Sequence, residues 1–141
     1  MNPSYNNVMK NTDFQTWYDS LIKPSWTPSP GVISTIWTIL YPIIIAVNFI
    51  VISKLVQKQI SFAVALPFII NLIANIAFTP IQFGLRNLDM AAVDIVLVLL
   101  TIIWAMVAIW PHSRVLAVAF VPYLIWVSLA TVLQISITVK N

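Results

Sequence analysis

The residues with the most chemical potential in this chain are indoles, phenols and carboxamides set at helical spacing inside long apolar runs. Trp37 and Tyr41 are four apart and share a helix face, with Ile33 and Ile44 close to it. Tyr123 and Trp126 are three apart, and Ala130 follows on their face. Aromatic pairs on two helices either wall a flat cavity or fill a core or lipid-facing surface, and periodicity leaves both readings open. Asn71 and Asn75, at i and i+4, point to one side of a helix, either bonding to a neighbouring helix or serving a ligand. Asp94 is the only acid or base inside an apolar run. A carboxylate near a helix N-terminus is stabilised there by the helix dipole. A binding role is the alternative, because polar groups in lipid are costly without partners. Asn48 and Gln134 are further polar residues within the runs.

Familiar catalytic arrangements are lacking. The chain has one histidine, His112 beside Pro111, and neither cysteine nor glutamate, so no metal-ligand set is expected. There is no nucleophile elbow, no phosphate-binding glycine loop and no pair of carboxylates within a run. Nor is there a chain of intramembrane acids to relay protons, although one aspartate suffices to couple one proton.

The elements that carry these residues follow from composition. Hydrophobic residues make up 60% of the 141 and charged residues 8%, with a mean hydropathy of +0.95. A soluble domain has roughly 45–50% apolar and about 25% charged residues, so this chain needs lipid. The seven bases form no basic stripe, which argues against a nucleic-acid partner despite a net charge of +3. Residues 1–31 are polar to mixed, with no apolar stretch of signal-peptide type. Apolar runs at 32–53, 60–82, 90–110 and 115–139 are each long enough to cross a core of about 30 Å as a helix of roughly 20 residues. Only helices satisfy their own backbone in lipid at this length, so the predicted fold is an all-α membrane bundle of four spans in a single domain. Short loops make consecutive helices antiparallel neighbours. Pro42, Pro67 and Pro122 sit inside spans and Pro80 near the end of one, and each is expected to kink its helix. Trp17 and Trp110 suit interfacial anchoring, as does Trp26, whereas Trp37, Trp104 and Trp126 lie inside spans. Lys10, Lys23, Arg86 and Lys140 fall on one side and Lys54, Lys58 and Arg114 on the other, too even a division to orient the bundle.

Three stretches resemble the translocator protein family, the tryptophan-rich sensory protein or TspO/MBR group. The first is Trp17-Tyr18-Asp19-Ser20-Leu21-Ile22-Lys23-Pro24-Ser25-Trp26-Thr27-Pro28, followed by Trp37 and Leu40-Tyr41. The second is Asn75-Ile76-Ala77-Phe78-Thr79-Pro80-Ile81-Gln82-Phe83-Gly84-Leu85-Arg86 with Val93-Asp94, and the third Pro122-Tyr123-Leu124-Ile125-Trp126 with Ala130-Thr131. The resemblance covers residues 17 to about 139 and implies a bundle, usually five-spanning and often dimeric. Such proteins bind tetrapyrroles such as protoporphyrin IX as ligands and, in some members, cholesterol or benzodiazepine-type molecules. By position, Tyr18, Trp26, Pro28 and Ile33 would belong to the loop that closes the pocket, or to its edge. Trp37, Asn71, Asn75, Asp94, Trp126 and Ala130 would line it, beside Tyr41 and Tyr123. A porphyrin is a broad apolar disc, and indole faces stack on it. Light-dependent porphyrin breakdown is attributed to some members, and Trp37 matches the candidate photochemical indole.

The sequence also departs from the pattern. The family's first spanning helix should precede Trp17, where this chain has a short polar segment, so a partner copy or lipid is expected to cover one wall. The second loop proline is Ser29, with Pro30 after it; one of two paired phenylalanines is Gln82; Ile76 and Phe78 replace tryptophans; and Gln134 replaces an asparagine. A cholesterol-recognition pattern needs a tyrosine that 133–140 lacks. The expected function is therefore tetrapyrrole binding for sensing, sequestration or transport, in a homodimer in the bacterial cytoplasmic membrane. Two alternatives are a small dimeric transporter of hydrophobic cations using Asp94, and a non-catalytic subunit of a larger membrane assembly.

Overall fold

The structure, a computed structural model, describes residues 17–141. Residues 1–16, the beginning of the polar segment, lie outside the described residues. After a helical turn at 17–20 and a loop, the chain runs through α1 (Pro30–Val56), α2 (Phe62–Thr79), a π-helical turn (Pro80–Gly84), α3 (Leu88–Ile109), α4 (Arg114–Ala119) and α5 (Val121–Lys140). These make four stretches long and apolar enough to cross a membrane, Pro30–Val56, Phe62–Gly84, Leu88–Ile109 and Arg114–Lys140.

Local chemistry sets the ends. Ser29 caps α1 by accepting a hydrogen bond from Val32 N at 3.3 Å, and Pro30 takes the first helical position, where its missing N–H costs nothing. The displaced proline of the loop is thus part of a helix start. Asn87 caps α3 through Met90 N at 3.0 Å, and Ser113 caps α4 through Leu116 N at 3.3 Å.

Prolines act differently by position. Pro42 and Pro67 are carried within α1 and α2. Pro80 opens the π turn, in which Leu85 N bonds to Pro80 O at 2.9 Å. Because Pro80 brings no N–H, the α pattern lapses there, and the wider turn resets the facing of the residues after it. The last span is not one continuous helix: it breaks at Phe120, two residues before Pro122, whose ring crowds the preceding turn.

Helix α3 is the axis of the bundle, packing on α2 and on α5. Ala65 on α2 and Ala91 and Ala105 on α3 are fully buried, and such small residues let helix backbones approach closely without GxxxG. Ile102, Val98, Phe68, Phe120 and Val127 fill the core between them. Helix α1 touches α2, α4 and α5 more lightly. Its buried stripe is Leu40, Ile44, Val47, Asn48 and Val51, while Ile39, Ile45 and Phe49 face outward, as lipid-facing residues should. Asn48 bonds to its own helix, Nδ2 donating to Ile44 O at 2.8 Å.

One end of the bundle gathers the loop before α1, the π turn, the start of α3 and the end of α5. Trp17 packs on Phe83 at 6.1 Å, Thr138 Oγ1 donates to Leu88 O at 3.2 Å, and the Asn141 amide meets the Ile22 backbone. The spans therefore alternate in direction, as the short loops require.

Candidate functional site

Between the loosely held α1 and the α2–α3–α5 core lies a cavity of about 650 Å³, within the range of about 300–1,000 Å³ usual for small-molecule sites. Helix α1 presents Ile33, Ser34, Trp37, Thr38 and Tyr41 to it, a single face at i, i+1, i+4, i+5 and i+8. Asn75, Phe78, Thr79 and Gln82 continue one face of α2 into the π turn, joined by Phe83. Helix α3 adds Ile95 and Val98, and α5 adds Trp126, Ala130, Leu133, Gln134 and Ile137. Tyr18 and Pro30 stand at the loop end.

The aromatic pairs of two helices meet around Trp37. Its ring lies 5.2 Å from Tyr41, 6.4 Å from Trp126 at 86°, and 6.5 Å from Tyr123 at 68°. Edge-to-face geometry of this kind suits the quadrupoles of both rings. Trp126 is largely buried, and its Nε1 has no hydrogen-bond partner among the described residues.

Behind the aromatics runs a chain of polar contacts through all four spans. Tyr41 Oη donates to Asn75 Oδ1 at 3.1 Å; Asn75 Nδ2 donates to Tyr123 Oη at 2.6 Å; Tyr123 Oη donates to Asn71 Oδ1 at 3.1 Å. Asn71 Nδ2 then reaches Val98 O and Thr101 Oγ1, both at 3.1 Å. The i, i+4 spacing of the asparagines lets a single tyrosine hydroxyl bridge them.

Of the residues singled out in the sequence, the structure brings Tyr18, Ile33, Trp37, Tyr41, Asn75, Trp126 and Ala130 around one cavity. Asn71 and Tyr123 are fully buried behind the wall, held there by the chain just described. Asp94 is buried on α3 one position before Ile95, outside the wall, with Oδ2 unpartnered among the described residues. Trp26 is exposed in the loop, and Pro28 is not among the wall residues. Phe78, Thr79 and Phe83 entered the sequence reading only as motif letters and Gln82 only as a departure; extending the face of Asn75 by three, four and seven residues reaches Phe78, Thr79 and Gln82. Gln134, a further polar residue noted in the sequence, is on the wall as well, and with Leu133 and Ile137 it continues the face of Trp126 and Ala130.

The loop is fastened over this end. Ile22 N donates to Asn141 Oδ1 at 3.1 Å while Asn141 Nδ2 donates to Ile22 O at 3.0 Å. Lys23 Nζ donates to Tyr18 O at 2.7 Å and lies 4.6 Å from the centre of the Tyr18 ring. Tyr18 packs on Phe83 at 6.0 Å, and Arg86 sits 5.7 Å from the Trp17 ring. Burial, and then the nearby Asp19 carboxylate, push the Tyr18 phenol above its ordinary value of 10.0, so it stands at the cavity as a neutral donor.

Compared with known proteins, residues 3–140 match the TspO/MBR family. The chain is 37% identical over 120 residues to the tryptophan-rich protein TspO of Bacillus cereus, covering 85% of this chain and 77% of that protein. It is 36% identical over 131 residues to the uncharacterized membrane protein YtaB of Bacillus subtilis, covering 90% and 81%. To the human translocator protein it is 33% identical over 119 residues, covering 84% and 70%.

Proposed function

This chain belongs to the TspO/MBR family and is a multi-pass integral membrane protein, and from that premise we propose that its cavity binds a flat, largely apolar ligand of the tetrapyrrole class, such as protoporphyrin IX. The observation that carries the reading is the meeting of Trp37 and Trp126, from the first and last spans, on one cavity of about 650 Å³. Indole and phenol faces supply the broad apolar contact such a disc needs, and a few amides and hydroxyls at the loop end orient its polar edge. Residues 18–30 then act as the lid. Trp37, the centre of the aromatic cluster, is the indole to which any light-dependent breakdown is assigned. A homodimer and a bacterial cytoplasmic membrane belong to the same proposal; the Bacillus relatives support the latter.

The carrier reading has less support, because its acid, Asp94, stands outside the cavity wall. The test is a titration of the detergent-purified protein with protoporphyrin IX, followed by tryptophan fluorescence. Saturable quenching that weakens in Trp37→Phe and in Trp126→Phe is expected. Quenching that never saturates, or that neither substitution alters, refutes the site.

A further inference from the structure

The cavity wall is mostly apolar; Asn75 and the Tyr41 hydroxyl are paired with each other farther from the loop, and at the loop end the carboxamides of Gln82 and Gln134 reach it from the π turn and from α5. Gln82, in the π turn, is 5% exposed and lines the cavity, yet its Oε1 has no hydrogen-bond donor among the described residues. Two other polar side chains of the wall are engaged elsewhere. Thr38 Oγ1 donates to Ser34 O on its own helix at 2.9 Å, and Gln134 Nε2 reaches Thr138 Oγ1 at 3.4 Å. None of the described residues that form the wall is charged. An ionised ligand group drawn past the loop meets no charged side chain among the described wall residues, whereas a neutral donor meets a buried acceptor that has no donor among the described residues.

We propose that Gln82 is a specificity-determining residue, whose buried carboxamide selects flat ligands with a neutral polar edge that offers an N–H or O–H donor. The inference rests on the tetrapyrrole reading above and deepens it. The geometry supports one orientation. Trp37, Tyr41 and Trp126 hold the ring, and Gln82, which follows Thr79 on the same face and precedes the lid-bound Phe83, meets the substituted edge beneath Tyr18. A primary carboxamide carries both donor and acceptor, and turning its terminal torsion exchanges the two ends. A ligand amide or un-ionised carboxyl is matched by it, and an ester, which only accepts, leaves Oε1 without a donor. The family pattern that this stretch resembles has phenylalanine here, so the amide is one of this sequence's departures from it.

The test uses the full chain in detergent and two neutral probes of nearly equal size, the primary diamide and the dimethyl ester of protoporphyrin IX. Only the diamide carries N–H groups on its edge. The wild type is expected to bind the diamide about tenfold more tightly than the diester, the cost of leaving one buried acceptor unpaired. In Gln82→Leu the ratio should fall to within about twofold, through weaker diamide binding rather than loss of the diester. Gln82→Met, equally long and without the amide, serves if the leucine variant does not fold. Saturable quenching by both probes with equal affinity in the wild type overturns the role of Gln82 and leaves the tetrapyrrole reading standing. A ratio unchanged in either variant does the same. Failure of both probes to bind a wild type that still binds protoporphyrin IX overturns the role of Gln82 alone, and failure of protoporphyrin IX as well overturns both readings.

Discussion

Replacing Tyr123 by phenylalanine isolates the part of the structure that ties the spans together. The Tyr123 hydroxyl is the node of the polar chain: it receives the Asn75 amide at 2.6 Å and donates to Asn71 at 3.1 Å. The phenyl ring remains, so its packing on Phe120 at 5.2 Å and near Trp37 at 6.5 Å is kept and no cavity opens beyond one oxygen. Two bonds are lost. An interhelical hydrogen bond within a membrane averages about 0.6 kcal/mol and reaches about 1.7. The group is fully buried and both partners stay behind with one unsatisfied atom each, which places each bond above that average and the two together at about 1.5–2.5 kcal/mol. Tyr41→Phe is the internal control. It removes one bond, at 3.1 Å, from a residue 38% exposed, and should cost about 0.5 kcal/mol or less. The assay is reversible unfolding of the full chain in mixed micelles of rising denaturing-detergent content, followed by tryptophan fluorescence. A Tyr123→Phe protein as stable as the Tyr41→Phe protein refutes the claim that this hydroxyl joins the spans energetically. A double-mutant cycle with Asn71→Leu should show coupling, since the two side chains share a bond.

Three further outcomes are expected. In Asn141→Ala, loss of the paired bonds to Ile22 should cost the lid about 1 kcal/mol, read as faster hydrogen exchange at the Ile22 amide and several-fold faster porphyrin release; unchanged exchange would show that the clamp holds nothing. Because burial raises the Tyr18 phenol above 10.0, its contribution is fully present below that pH and is lost as pH rises through the raised value. The stability of wild type relative to Tyr18→Phe should accordingly hold steady to about pH 10 and decline above it, and a decline already at neutral pH would contradict the assigned burial. Asp94→Asn should leave porphyrin affinity within about twofold, since Asp94 lies outside the cavity wall; removal of a pH-dependent uptake into proteoliposomes by the same change would instead favour the carrier reading.

Much of this protein was legible from composition and period alone. Lipid admits only backbones that bond internally, so apolar runs of spanning length dictate helices, and short loops dictate their alternation. The i, i+4 spacing of Asn71 and Asn75 and of Trp37 and Tyr41 fixed which side chains share a face, and the resemblance by position pointed to several of the residues that line the cavity. The sequence could not say which asparagine is at the wall and which behind it, because that depends on where α5 brings Tyr123. Nor could period place Asp94, which misses the wall by one residue's rotation from Ile95. Period carries the face of Asn75 as far as Gln82 but does not show that Phe83 joins it, which depends on the π turn, where a proline without an N–H lets the helix widen. The fastening of the loop before α1, too, depends on partners distant in sequence, since Ile22 and Asn141 are 119 residues apart. Helix period is a local property that a sequence carries in full; which faces meet depends on how whole helices pack, and only the tertiary structure decides that.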